Sequence, residues 1–183
     1  ISNRLLQLNP AFNIQKIVFS NDDSILIGVE SHHYINEWDV KTGEWLNGED
    51  IAIESTPRTS GPPKSGVIWS PKFSSDSSLL AFNFFDEDSI RVWDVKNKVH
   101  LSDMPGTKGP FAARGSFSLS EDGTKLCIES IPNKTTCSVY EVHTGKLLET
   151  YLHSEDLASH AFINEDGSSL LTSDTYTVIL RHE

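Results

Sequence analysis

Apolar residues in this chain come in short runs, each closed by Asp, Asn, Ser, Thr or Gly, and no stretch keeps a helical period beyond two turns. Ile17-Val18-Phe19, Ile25–Val29, Tyr34–Val40 and Glu44–Ile53 are β-branched or aromatic runs of this kind and read as strands. The breaks have a mechanism. Asn21-Asp22-Asp23, Ser75-Asp76-Ser77, Glu121-Asp122-Gly123 and Glu165-Asp166-Gly167 place side chains that bond their own backbone beside residues suited to positive φ. Lys41-Thr42-Gly43 and His143-Thr144-Gly145 put Gly at the left-handed position of a bulged hairpin. The pattern predicts an all-β chain of tight hairpins.

The hairpins recur. VFSNDDSILIGVESHHYINEWDV (18–40) and KFSSDSSLLAFNFFDEDSIRVWDV (72–95) end alike, in Trp38-Asp39 and Trp93-Asp94. SLSEDGTKLCIESIPNKTTCSVYEV (118–142) carries Tyr140-Glu141 in that place, and FINEDGSSLLTSDTYTVILRHE (162–183) carries Leu180-Arg181. Phe19, Phe73, Leu119 and Ile163 mark the copies at offsets of 54, 46 and 44 residues. A fixed period of this size is the mark of a repeat architecture, and roughly 40–45 residues suit one four-stranded propeller blade.

On these residues the chain resembles the WD-repeat (tryptophan–aspartate) β-propellers, over nearly all of its 183 residues. The resemblance implies four-stranded antiparallel blades with strands a, b, c and d. It also implies structural roles for Trp38, Asp39, Trp93, Asp94 and Tyr140. No blade carries the Gly-His dipeptide of the family, so apolar packing is expected to hold the blades together. The expected division is a strand d at 3–8, blades at 14–53, 67–103 and 115–152, and a partial blade at 159–183. The family closes its rings by pairing an N-terminal strand d with a C-terminal a-b-c unit. Asn3–Leu8 and Val178–Arg181 would be those strands. Three arrangements fit: a segment of a larger propeller, a half-ring that pairs with a second copy into eight blades, or a four-bladed ring.

Composition narrows the chemistry. The net charge of −11 disfavours nucleic acid, which is bound by neutralising phosphates, and anionic membranes. No apolar run approaches the length of a membrane-spanning helix. Cys127 and Cys137 fall in strands b and c of the third blade and could face each other. Two cysteines are no disulfide framework, so buried, reduced thiols and an intracellular, cytoplasmic location are expected.

Catalytic motifs are thin. His32-His33 point to opposite faces of a strand and lack carboxylate or Cys ligands at zinc spacing. His153, Glu155, Asp156 and His160 form a looser group between blades, and Asp86-Glu87-Asp88 lacks the Gly and bidentate Glu of a calcium loop. Gly61–Gly66 resembles a phosphate loop only in composition, because its prolines remove donors. No catalytic residue, metal ligand or cofactor is expected.

The long connections 50–66 and 102–115 both run from strand d to the next strand a. The d–a and b–c connections of a propeller share one face, and insertions on one face often mark the binding side. Phe84, Phe85, Asp86, Glu87, Asp88, Phe111, His32 and His33 would gather there. The expected function is a non-catalytic scaffold that binds a protein partner carrying a basic segment. The alternatives are a propeller holding a peptide, sugar or metal at the ring face, and a propeller hydrolase.

Overall fold

The structure is a computed structural model that describes residues 13–30, 34–50, 68–84, 89–105, 117–129, 136–152, 160–173 and 178–182. They form four antiparallel sheets in chain order, and only strands occur among them. The first sheet is β1 (Ile14–Phe19), β2 (Ile25–Glu30), β3 (Tyr34–Asp39) and β4 (Trp45–Asp50). The second is β5 (Ile68–Phe73), β6 (Leu79–Phe84), β7 (Ser89–Asp94) and β8 (Val99–Pro105). The third is β9 (Phe117–Leu119), β10 (Lys125–Glu129), β11 (Thr136–Glu141) and β12 (Leu147–Leu152). The fourth has β13 (His160–Ile163), β14 (Ser169–Ser173) and β15 (Val178–His182). Successive sheets touch through their first strands, β1 on β5, β5 on β9 and β9 on β13. Among the described residues the sheets form an arc of propeller blades that does not close into a ring. Asn3–Leu8 lies outside the described residues, as do the connections 51–67 and 106–116.

One turn chemistry recurs between the first and second strands. Asp22 accepts from the Ser24 backbone N–H at 3.1 Å and from the hydroxyls of Ser20 and Ser24. Asp76 does the same with Ser74 and Ser78, and Asp122 with Ser120 and Thr124, while Asp166 accepts from the Ser168 backbone N–H and the Asn164 side-chain amide. The next residue is left-handed in every copy: Asp23 at φ 57°, Ser77 at 60°, Gly123 at 71° and Gly167 at 72°. Only the last two copies use the residue that adopts this conformation without steric cost.

The Trp-Asp pairs divide their work. Trp38 and Trp93 turn inward and are 3% and 4% exposed. Asp39 accepts from the Thr42 N–H at 2.6 Å, and Asp94 from the Asn97 N–H at 2.8 Å. Glu141 holds Thr144 in the third sheet. The acidic residue therefore anchors the hairpin that leads to the fourth strand. Each of these hairpins carries a register shift at the aromatic residue and a left-handed residue, Gly43, Lys98 or Gly145.

The core lies between sheets. Ile27, Val29 and Ile35 of the first sheet pack on Ile68, Leu80, Phe82 and Trp93 of the second. Ala81, Ile90, Val92 and Met104 pack on Phe117, Leu126, Ile128 and Tyr140 of the third. Cys127, Cys137 and Val139 pack on Ile163 and Leu170 of the fourth. Burying such side chains stabilises by about 1.5–3 kcal/mol each. Hydrogen bonds stitch the same seams: Ser77 Oγ donates to the Phe19 carbonyl at 2.6 Å, and the Asp122 N–H to the Glu165 carbonyl at 2.9 Å.

The cysteines depart from expectation. Cys127 and Cys137 are joined in a disulfide rather than kept as reduced thiols. The register pairs Cys127 with Val139 and Glu129 with Cys137, so the cysteines are diagonal neighbours on one sheet face. Their Cα atoms stand 6.4 Å apart, within the span a disulfide bridges. Counting cysteines gives the reducing-compartment reading; the diagonal register brings the sulfurs together. Among the described residues no helix is long and apolar enough to cross a membrane.

Candidate interaction face

In every sheet the second strand ends, and the third begins, on the side opposite the aspartate turns. Of the residues nominated for this side, only Phe84 lies in a described strand. It closes β6, and nothing is described of its side chain. Phe85, Asp86, Glu87, Asp88, Phe111, His32 and His33 lie outside the described residues, as do His153, Glu155 and Asp156.

What the structure adds there is a set of buried acceptors. The second strands of three successive sheets carry Glu30, Asn83 and Glu129 at or next to their last position, all of them buried. Asn83 and Glu129 hold matching positions, since Asn83 pairs with Ile90 and Glu129 with Cys137. Glu30 stands one residue beyond that position, opposite Ile14. It is 1% exposed, and neither of its oxygens has a hydrogen-bond partner among the described residues. The Asn83 side-chain oxygen has none either. A buried carboxylate without a donor is costly, so these positions call for N–H donors. They are hard to pick out in the sequence because each simply closes an apolar run; a polar residue at or next to the end of ILIGVE, LLAFNF or KLCIE is the available signal.

The turn side has a different electrostatic character. Hydrogen bonds from the Ser20 hydroxyl, and then from Ser24, lower the Asp22 pKa to about 2. Asp166 is lowered chiefly by Ser168, and Asp39 by the Thr42 N–H. Burial opposes the shift at Asp76 and Asp122, but hydrogen bonds from Ser78 and Ser74, and from Thr124 and Ser120, outweigh it. These carboxylates are spent on their own turns.

On the outer strand of the second sheet, His100 Nε2 lies 3.0 Å from Asp103 Oδ1, with Arg91 Nε at 3.9 Å from the same oxygen. Ser102, the nearest hydroxyl in sequence, donates instead to the Val142 carbonyl of the third sheet. The Ser102 hydroxyl is therefore turned to the neighbouring sheet and not to the His–Asp pair. Among the described residues no group of three or more His, Cys, Asp or Glu could hold a metal ion.

No protein-family model matches the chain, and no curated protein matches it. Among solved structures it is similar to the β-propeller domain of Myceliophteria thermophila Cps50 (Swd1), with a TM-score of 0.66 at 16% identity. The match covers 91% of this chain and 50% of that one, so the chain spans half the length of this neighbour. At that identity the likeness concerns the fold.

Proposed function

We propose that the chain is an arc of a WD-repeat propeller that acts as a non-catalytic scaffold, docking a protein partner through its b–c side. The observation that carries this reading is the pair of buried acceptors, Glu30 and Asn83, left without donors among the described residues near the ends of successive second strands on that side. Lysine and arginine are donors without acceptor capacity, and they match such groups. The net charge of −11 favours approach of a basic segment over long range. The acidic run Asp86-Glu87-Asp88 and the aromatics Phe84, Phe85 and Phe111 would supply charge and apolar anchoring on the same side. The propeller neighbour supports the fold on which the reading stands.

The test uses synthetic peptides that alternate Lys or Arg with large apolar residues. Their association is followed by fluorescence anisotropy over a range of salt. Reversal of Asp86, Glu87 and Asp88 to lysine should slow association and flatten its salt dependence. An unchanged on-rate removes this side as the docking surface. Peptide hydrolysis during the same assay would favour the hydrolase alternative.

A further inference from the structure

Two covalent features meet on one hairpin of the third sheet. Cys127 of β10 and Cys137 of β11 are joined, and they bracket the connection 130–135. Within that connection the sequence reads Asn133-Lys134-Thr135. Asn-x-Thr, with x other than Pro, is the acceptor pattern for an N-linked oligosaccharide. The chain has ten asparagines, and only Asn133 has Ser or Thr two positions on. Residues 130–135 lie outside the described residues; the strands at their two ends are described and paired, Glu129 with Cys137.

The bond by itself points to an oxidising compartment. Both cysteines of the chain are used in it, so no third thiol is present to rearrange it. Both are buried, and they pack with Ile163 and Leu170 of the fourth sheet. A soluble reductant therefore meets the sulfurs only after that seam opens. Disulfides persist in secreted proteins and are rare in the cytosol. The acceptor pattern points to the same secretory route through unrelated chemistry, an amide and a hydroxyl rather than two thiols.

We propose that the chain matures in the secretory compartment of a eukaryotic cell, where Cys127 and Cys137 are oxidised and Asn133 receives an N-linked glycan. A protein oxidant in its disulfide form takes the two electrons of the first step. The Cys127–Cys137 bond forms, the oxidant's S–S bond breaks, and its two sulfurs leave as thiols carrying both protons. In the second step the Asn133 side-chain nitrogen attacks the anomeric carbon of an oligosaccharide carried on a lipid pyrophosphate. An N–C bond forms and the C–O bond to the pyrophosphate breaks. The lipid pyrophosphate leaves with the bonding pair, and the amide nitrogen gives up one proton. The inference is independent of the proposed basic partner, whose acceptors Glu30 and Asn83 belong to the first and second sheets.

Mass spectrometry on the full-length protein, isolated from the cells that make it, tests both modifications. Free thiols are blocked before any reduction. Glycans are then released enzymatically in heavy-oxygen water, which marks the asparagine that carried them. The expected result is a bonded Cys127–Cys137 peptide and the mark at Asn133. A blocked Cys127 or Cys137, or an unmarked Asn133, overturns the proposal. In a secreting eukaryotic host, Thr135→Ala should lose the glycan mass and Thr135→Ser should keep it. A glycan retained by Thr135→Ala overturns the assignment to Asn133.

Discussion

The Arg181 guanidinium lies over the Tyr151 ring, 5.4 Å from its centroid. Arg181 pairs with Leu170 as Trp38 pairs with Leu26 and Trp93 with Leu80. The fourth sheet therefore places a cation where the first two place tryptophan, and the register corrects the sequence repeat, which set Leu180 rather than Arg181 at that position. It keeps that cation by donating to Thr172 Oγ1 at 3.1 Å and, across the seam, to the Leu152 carbonyl at 2.9 Å. Arg181→Ala should destabilise by about 1–3 kcal/mol in urea unfolding, through lost charged hydrogen bonds and cation–π contact. Arg181→Lys should not restore it, because an ammonium lacks the planar fork that reaches two acceptors. Full rescue by lysine would show that charge alone matters here.

The two tryptophans of the β3–β4 hairpin and the one in β7 separate packing from exposure. Trp93→Ala should cost about 3–5 kcal/mol, the range for a buried aromatic. Trp45→Ala removes a mostly exposed ring and its 2.9 Å hydrogen bond to Asn36, and should cost about 1 kcal/mol or less. Trp38 has little room to change: a Cβ at Gly28 would sit 2.7 Å from its ring. Gly28→Ala should therefore resemble a core substitution in its melting temperature. Equal effects at Trp93 and Trp45 would contradict the packing described.

Acid should weaken the fold through its turns. The Asp22 pKa is about 2 in the folded chain and 3.8 without the turn, and Asp39, Asp76, Asp122 and Asp166 are shifted in the same direction. A depressed pKa contributes stability above the unfolded value, and that stability is lost as pH falls through the folded value. Melting temperature should hold at neutral pH, start to fall below about pH 4 and continue to fall toward pH 2. Asp22→Asn should shallow the fall by removing one titrating turn. An acid profile unchanged by Asp22→Asn would rule out this turn as a source.

Lys98 takes φ 56° where Gly43 and Gly145 stand in the neighbouring hairpins. A residue with a Cβ is strained there by about 1 kcal/mol. Lys98→Gly should stabilise by up to about 1 kcal/mol, read as a higher urea midpoint. A lower midpoint would mean that the Lys98 side chain makes a contact worth more than the strain.

The Cys127–Cys137 bond predicts no free thiol in denatured, unreduced protein and two after reduction. Reduction should also loosen the seam to the fourth sheet, because both cysteines pack with Ile163 and Leu170. Hydrogen exchange in residues 160–182 would report this directly. Free thiols without reductant would return the chain to the reduced, intracellular reading.

By itself the sequence determined the strands, the turns and the repeat. Asp22, Asp76, Asp122 and Asp166 act on residues two positions away, and period-2 runs between such turns leave little alternative to hairpins. The inward role of Trp93 was legible from the repeat, because the position recurs with Trp38. Tertiary structure alone decided what depends on register between distant strands. Diagonal placement of Cys127 and Cys137 rests on the offset between β10 and β11, which no composition encodes. Which apolar residues stay exposed was equally hidden. Leu180 takes the place of Val139 in the register of its sheet, and they differ because a sheet packs over Val139 while Leu180 faces solvent. Burial is a property of neighbours, so the exposure of Leu180, and the buried acceptors of Glu30 and Asn83, appear only once the sheets are stacked.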